Sequence, residues 1–146
     1  MEEGFKLEQV AIRLVPEAAV WDAEPIRSPE RAVEVLGKYI RDMDREAVCV
    51  VNFNARLQPI NFQIVSIGTL DRALCEPREL LKAGILSNAS SMMILHNHPA
   101  GSIAPSGCDI QMTERMEKVC ELVGIPLMDS IIVGFGREDY FSFREI

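Results

Sequence analysis

Apolar and polar positions change their period several times along the chain, and each change predicts an element. Phe5, Leu7, Val10, Ile12 and Leu14 recur at near-alternating spacing, which predicts a strand over Phe5–Val15. Pro16 to Arg27 breaks that pattern and reads as a loop, with Trp21 as its anchor. Ser28-Pro29-Glu30 is a helix entry with proline at the first helical position, and Val33, Leu36 and Ile40 carry an amphipathic helix onward. Two valine- and isoleucine-rich runs, Glu46 to Phe53 and Ile60 to Ile67, flank Asn54-Ala55-Arg56-Leu57-Gln58 and predict a hairpin that Gly68 ends. A helix over about Pro77 to Leu86 follows, then a short buried strand from Met92 to Leu95.

Beyond residue 105 the period becomes helical again. Ile110, Met112, Met116, Val119, Leu122 and Val123 fall mostly on one face, and Pro105-Ser106 leads into them. Ser106 suits the N-cap, and Asp109 at N3 suits the positive end of the helix dipole. Leu127 to Val133 and Tyr140 to Phe143 read as closing strands. Strands alternating with helices predict an α/β domain, a central sheet in two or three layers.

At 146 residues the chain matches one domain of ordinary size, with 1–27 as a strand and loop belonging to the same unit as 28–146. The hydrophobic fraction of 48% and charged fraction of 25% are those of a globular protein. No apolar run is long enough to span a bilayer, and the first residues lack the basic and apolar regions of a signal peptide, so a cytoplasmic location is expected. Cys49, Cys75, Cys108 and Cys120 are scattered without a Cys-x-x-Cys pair, which favours free thiols over a disulfide framework or a four-cysteine zinc site. A formal net charge of −7 argues against general attraction to phosphate backbones, and basic residues such as Arg41, Arg45, Arg78 and Lys82 are interleaved with acids.

The chemistry is concentrated in one segment. Both histidines of the chain lie in Leu95-His96-Asn97-His98-Pro99, and Asp109 follows the second by 11 positions. Residues two apart at the end of a strand project toward one side, so both imidazoles can reach one ion. Two imidazoles and a carboxylate are an accepted ligand set for zinc and leave a fourth position open, the mark of a catalytic site. Helix entry alone would explain Ser106 and Asp109, but it does not explain paired histidines. His-Glu-x-x-His, the deaminase pattern His-x-Glu with Pro-Cys-x-x-Cys, and a Gly-x-x-x-x-Gly-Lys phosphate loop are all absent.

The segment resembles the JAMM metalloprotease motif, His-x-His-Pro, six residues, Ser, two residues, Asp, at every fixed position. More narrowly it is similar to the RadC family of JAB/MPN-like domains, as are Cys75-Glu76-Pro77-Arg78-Glu79-Leu80-Leu81-Lys82, Ser87 to Leu95, and Gly124 to Gly134; the resemblance covers roughly Ser28 to Phe143. It implies a cytidine-deaminase-like fold with a mixed central sheet flanked by helices. It implies one Zn2+ held by His96, His98 and Asp109. It also implies that Glu46 is the catalytic glutamate that holds the attacking water, whereas spacing alone would make Glu46 a solvated strand-end charge. Ser106 is expected to donate to the oxyanion. The implied activity is hydrolysis of a peptide or isopeptide bond in a peptide or protein substrate that the sequence does not identify.

Two positions depart from the family pattern. Ala100 stands where many members have Ser, and Ser130 where they often have His after Asp. Asp129 remains as a residue that could hydrogen-bond a ligand imidazole, or serve only as a strand-end charge. Cys108, beside Asp109, could replace a ligand or inhibit by oxidation; its plainer role is a small residue in a first helical turn. Two other classes stay open: a JAB-type scaffold that binds partners without hydrolysis, and a DNA-repair-associated factor of a mobile element. Any exposed edge strand could pair with a peptide or a second copy of the chain, so a homo-oligomer is compatible with the sequence.

Overall fold

The computed structural model describes residues 3–17, 19, 24–68, 75–135 and 139–145. Helix α1 (Pro29–Leu36) is followed by a 3-10 turn over Gly37–Tyr39, strands β1 (Ala47–Phe53) and β2 (Pro59–Ile67), helix α2 (Pro77–Leu86), strand β3 (Ser91–Asn97), helix α3 (Gly107–Val123) and strands β4 (Leu127–Val133) and β5 (Tyr140–Ser142). The strands form one five-stranded mixed sheet in the order β2-β1-β3-β4-β5. Only β3 and β4 run parallel, joined by α3 as the crossover; the other pairs are antiparallel.

The period of two sorts the strand residues into two cores. Ala47, Cys49, Val51 and Phe53 of β1, with Met93 and Leu95 of β3 and Ile131 and Val133 of β4, pack under Val33 and Leu36 of α1. Val48 and Val50, with Met92 and Ile94, face Leu80 and Leu81 of α2 and Met116 and Cys120 of α3. The sheet is thus the middle of three layers. Both β1 and β3 are buried along their whole length, as central strands covered on both faces are. Gly84 in α2 approaches β1 so closely that an added Cβ would lie 2.8 Å from Asn52 Oδ1.

Most element predictions hold to within a few residues, and two need correction. The strand expected over Phe5–Val15 is absent: the segment has no ladder partner, and Phe5, Leu7, Val10, Ile12 and Val15 are all exposed. Alternation made it suitable for a sheet, but no edge of this sheet takes it up. The first helix ends at Leu36, before Ile40, because the chain tightens into the 3-10 turn. Asp129 does not reach an imidazole. Its carboxylate accepts hydrogen bonds from the Ser130 and Arg144 amides and the Ser142 hydroxyl, anchoring the end of the chain to β4. Burial raises its pKa, opposed by those bonds. Trp21 lies outside the described residues. Among the described residues, no helix is long and apolar enough to cross a membrane.

Candidate metal centre

Strand β3 ends between its two covering layers, and its even-numbered side chains face α3. His96 is therefore 2% exposed and aimed at the first turn of that helix. His98, one residue beyond the strand, follows the same side. The turn from Pro99 to Pro105 brings the chain back to Ser106, which caps α3: its Oγ accepts from the Asp109 amide at 3.1 Å, and the Asp109 carboxylate accepts from the Ser106 amide at 2.8 Å. This reciprocal cap fixes the Asp109 carboxylate against both rings. Its Oδ2 lies 3.0 Å from His98 Nε2 and its Oδ1 3.1 Å from His96 Nε2.

The fourth member arrives from β1. Glu46 immediately precedes that strand and is buried, with Oε1 4.0 Å from His98 Nε2. Potential ligand atoms of Glu46, His96, His98 and Asp109 all lie within 4.8 Å of one another, so the group could hold a metal ion. Four of the residues expected at the site thus come together. Ser106 is an exposed residue beside Asp109 and lies outside that group. Cys108 is exposed in the first turn of α3 and is not a member of the group.

The hydrogen-bond pattern tests whether a cation fits. His98 Nδ1 lies 2.8 Å from the Ser102 carbonyl, a partner that can only accept, so Nδ1 carries a proton. Nε2 of neutral His98 is then a lone pair facing a carboxylate oxygen. Two acceptors at that distance need a cation between them, either a proton that makes His98 an imidazolium or a metal ion. His96 presents the same deficit: buried though it is, neither ring nitrogen makes a hydrogen bond of acceptable geometry, and the short approach to Asp109 is out of line. A buried imidazole nitrogen without a partner is costly in a protein interior, and a cation beside Nε2 would supply the partner that nitrogen lacks. The residues present fit a divalent cation.

The charges respond accordingly. The hydrogen bond to Asp109 raises the His98 pKa above its ordinary 6.5; burial opposes this, while the Ser102 carbonyl and the charges of Asp109 and Glu46 add to it. Burial pushes Asp109 upward, but His96, His98 and the Ser106 amide outweigh it and hold the carboxyl well below the usual range.

Asn97, between the histidines, has a role that the sequence left unassigned. It is 1% exposed and points to the opposite face of β3 from the rings. There its Oδ1 accepts from the Ala47 amide at 2.7 Å, and its Nδ2 donates to the Arg45 carbonyl at 3.0 Å. It therefore clamps the residues on either side of Glu46 to the strand that carries the histidines. A polar residue between the two histidines was the available signal. Ser130, in place of the family's histidine, accepts from Thr113 Oγ1 at 3.3 Å and ties β4 to α3 one turn beyond Asp109.

A family model described as the RadC-like JAB domain matches residues 26–146. The chain belongs to the RadC-like JAB domain family. Similar relatives include two proteins designated UPF0758, from Streptococcus sanguinis strain SK36 (32% identical over 133 residues, 91% of this chain and 58% of the relative) and Streptococcus gordonii strain Challis (34% over 131 residues, 90% and 57%). A UPF0758 protein of Desulforamulus reducens is 39% identical over 109 residues, 75% of this chain and 48% of the relative. The RadC-like chain therefore spans about half the length of the curated relatives it matches.

Two outcomes follow for this RadC-like centre. Asn97→Ala leaves the Ala47 amide and Arg45 carbonyl without their buried partner and is expected to lower stability by about 2 kcal/mol in urea unfolding, with an unchanged m-value. Metal binding needs His98 neutral at Nε2. Because its pKa is raised, affinity is full above that raised value and falls as pH drops through it, so in a titration of metal affinity against pH the decline begins above pH 6.5. A decline confined to lower pH contradicts the His98–Asp109 contact.

Proposed function

We propose that the chain is a zinc-dependent hydrolase of amide bonds, peptide or isopeptide, acting on a peptide or protein substrate. The observation that carries this reading is the facing of lone pairs at His96, His98 and Asp109, with a buried carboxylate, Glu46, beside them. Two imidazoles and one carboxylate suit Zn2+ and leave room in its coordination for water. His96, His98 and Asp109 are the ligands in this reading, and the ion supplies Lewis acidity and a lowered pKa for water.

The chain's own residues supply the remainder. Glu46 is not a ligand here. Its carboxylate accepts a proton from the attacking water and returns it to the leaving amine; its approach to His98 puts it within one water of the centre. Asn97 positions Glu46 through the backbone on both sides of it. Ser106 uses an oxygen lone pair to cap α3, which leaves the hydroxyl proton for the oxyanion of the tetrahedral intermediate. Capping and catalysis are thus shared by one hydroxyl. The His98–Ser102 bond keeps Nε2 directed at the ligand position.

The JAMM resemblance supports the amide bond as the target, and the four free cysteines support a reducing, cytoplasmic setting. The test is Glu46→Gln assayed with the zinc-loaded protein on a panel of fluorogenic peptide and isopeptide amides. Wild type is expected to hydrolyse at least one of them. The variant should keep its fold and bound zinc while losing about 10²- to 10⁴-fold in rate. Equal rates in both, or no hydrolysis by zinc-loaded wild type, would favour a JAB-type scaffold that binds a partner without cleaving it.

A further inference from the structure

The least satisfied surface of the molecule lies away from the metal centre, in two pieces. One is the arm Phe5–Val15, in which Phe5 is 84% exposed, Leu7 83%, Val10 79% and Ile12 70%. It has no assigned secondary structure, and its apolar residues alternate with Lys6, Glu8, Gln9 and Arg13, broken once between Leu7 and Val10. The other is strand β2. It lies beside the fully buried β1, yet none of its nine residues is buried, and Ile60 and Ile67 are exposed. Among the described residues its outer edge has no partner strand.

A long, uncovered edge with apolar side chains is a template for another strand. A detached apolar strand is what such a template takes. We propose that the arm of one chain adds to the outer edge of β2 in a second copy, and that the exchange is reciprocal, giving a two-fold dimer. The sheet has two outer edges, β2 and β5; the nine-residue β2, not the three-residue β5, is long enough to take most of the arm, so a two-fold exchange seats each arm on the other chain's β2. The Ile26 amide donates to the Leu57 carbonyl at the β1–β2 turn, so the chain enters α1 from beside one end of β2. The arm does not pair with the edge of its own chain. Lys6 and Glu8, paired with each other at 2.6 Å, remain on the solvent side of an added strand. A membrane is a poorer occupant, because the arm carries charges of both signs and is not an amphipathic helix.

The experiment is sedimentation equilibrium of the full chain over a range of micromolar concentrations, combined with amide hydrogen exchange. The expected mass is twice 16.3 kDa, with residues 7–14 and the β2 amides protected at high concentration and losing protection together on dilution. Leu7→Asp with Ile12→Asp alters residues that touch no part of the core, so the double variant should keep the melting temperature of the diluted wild type and sediment as a monomer. A monomeric wild type with an exchanging arm overturns the proposal. A monomer whose arm is protected at every concentration also overturns it, in favour of the chain's own edge. A dimer unaffected by the arm variant overturns it as well, since its interface then lies elsewhere.

Discussion

One carboxylate links the fold to the candidate chemistry. Asp109 closes the first turn of α3 by accepting from the Ser106 amide, and the same group faces the Nε2 atoms of His96 and His98. The helix N-terminus favours its negative charge, and so would a cation between the rings. The consequence is geometric: the start of α3 cannot move relative to the end of β3 without breaking the contacts of Asp109 with His96 and His98. The turn between them is fastened a second time by the His98–Ser102 contact. The residues that would hold a metal are therefore set before any metal arrives, and neither ring nitrogen of buried His96 has a hydrogen-bond partner.

That arrangement depends on the sheet. Parallel pairing of β3 with β4 makes α3 a crossover helix, which returns its N-terminus to the end of β3 where the histidines emerge. Antiparallel pairing of β1 with β3 brings the start of β1 to the same place, Val48 opposite His96, and so delivers Glu46. A mixed sheet is what allows residues from a helix, a strand end and a strand start to converge. Asn97 completes the design from the other face, using a position whose side chain points away from the imidazoles to hold the backbone beside Glu46.

Much of this was legible in the chain. Elements with a strong period and a clear cap, such as α3 after Pro105-Ser106 and the hairpin around Asn54, emerge where the pattern predicts them. The His-x-His pair and Asp109 announce themselves because chelation restricts residue type and spacing together. Glu46 was legible only through family resemblance, since a glutamate before a strand has no distinguishing local signal. What local pattern could not supply were tertiary assignments. Asp129 holds the chain's end and not an imidazole, because Ser142 and the Arg144 amide return to it across the sheet. The arm Phe5–Val15 has a strand's alternation without a strand's neighbour, and alternation describes what a segment can pair with, not whether a partner is within the same chain.

The central claim is that Glu46, His96, His98 and Asp109 form a metal centre. Elemental analysis of the protein purified without added metal, compared with the His96→Ala, His98→Ala double variant, tests it most directly. The account predicts close to one zinc per chain in the wild type and none above background in the variant. Absence of any stoichiometric metal in the wild type, even after zinc is offered, or equal metal in both proteins, would contradict it.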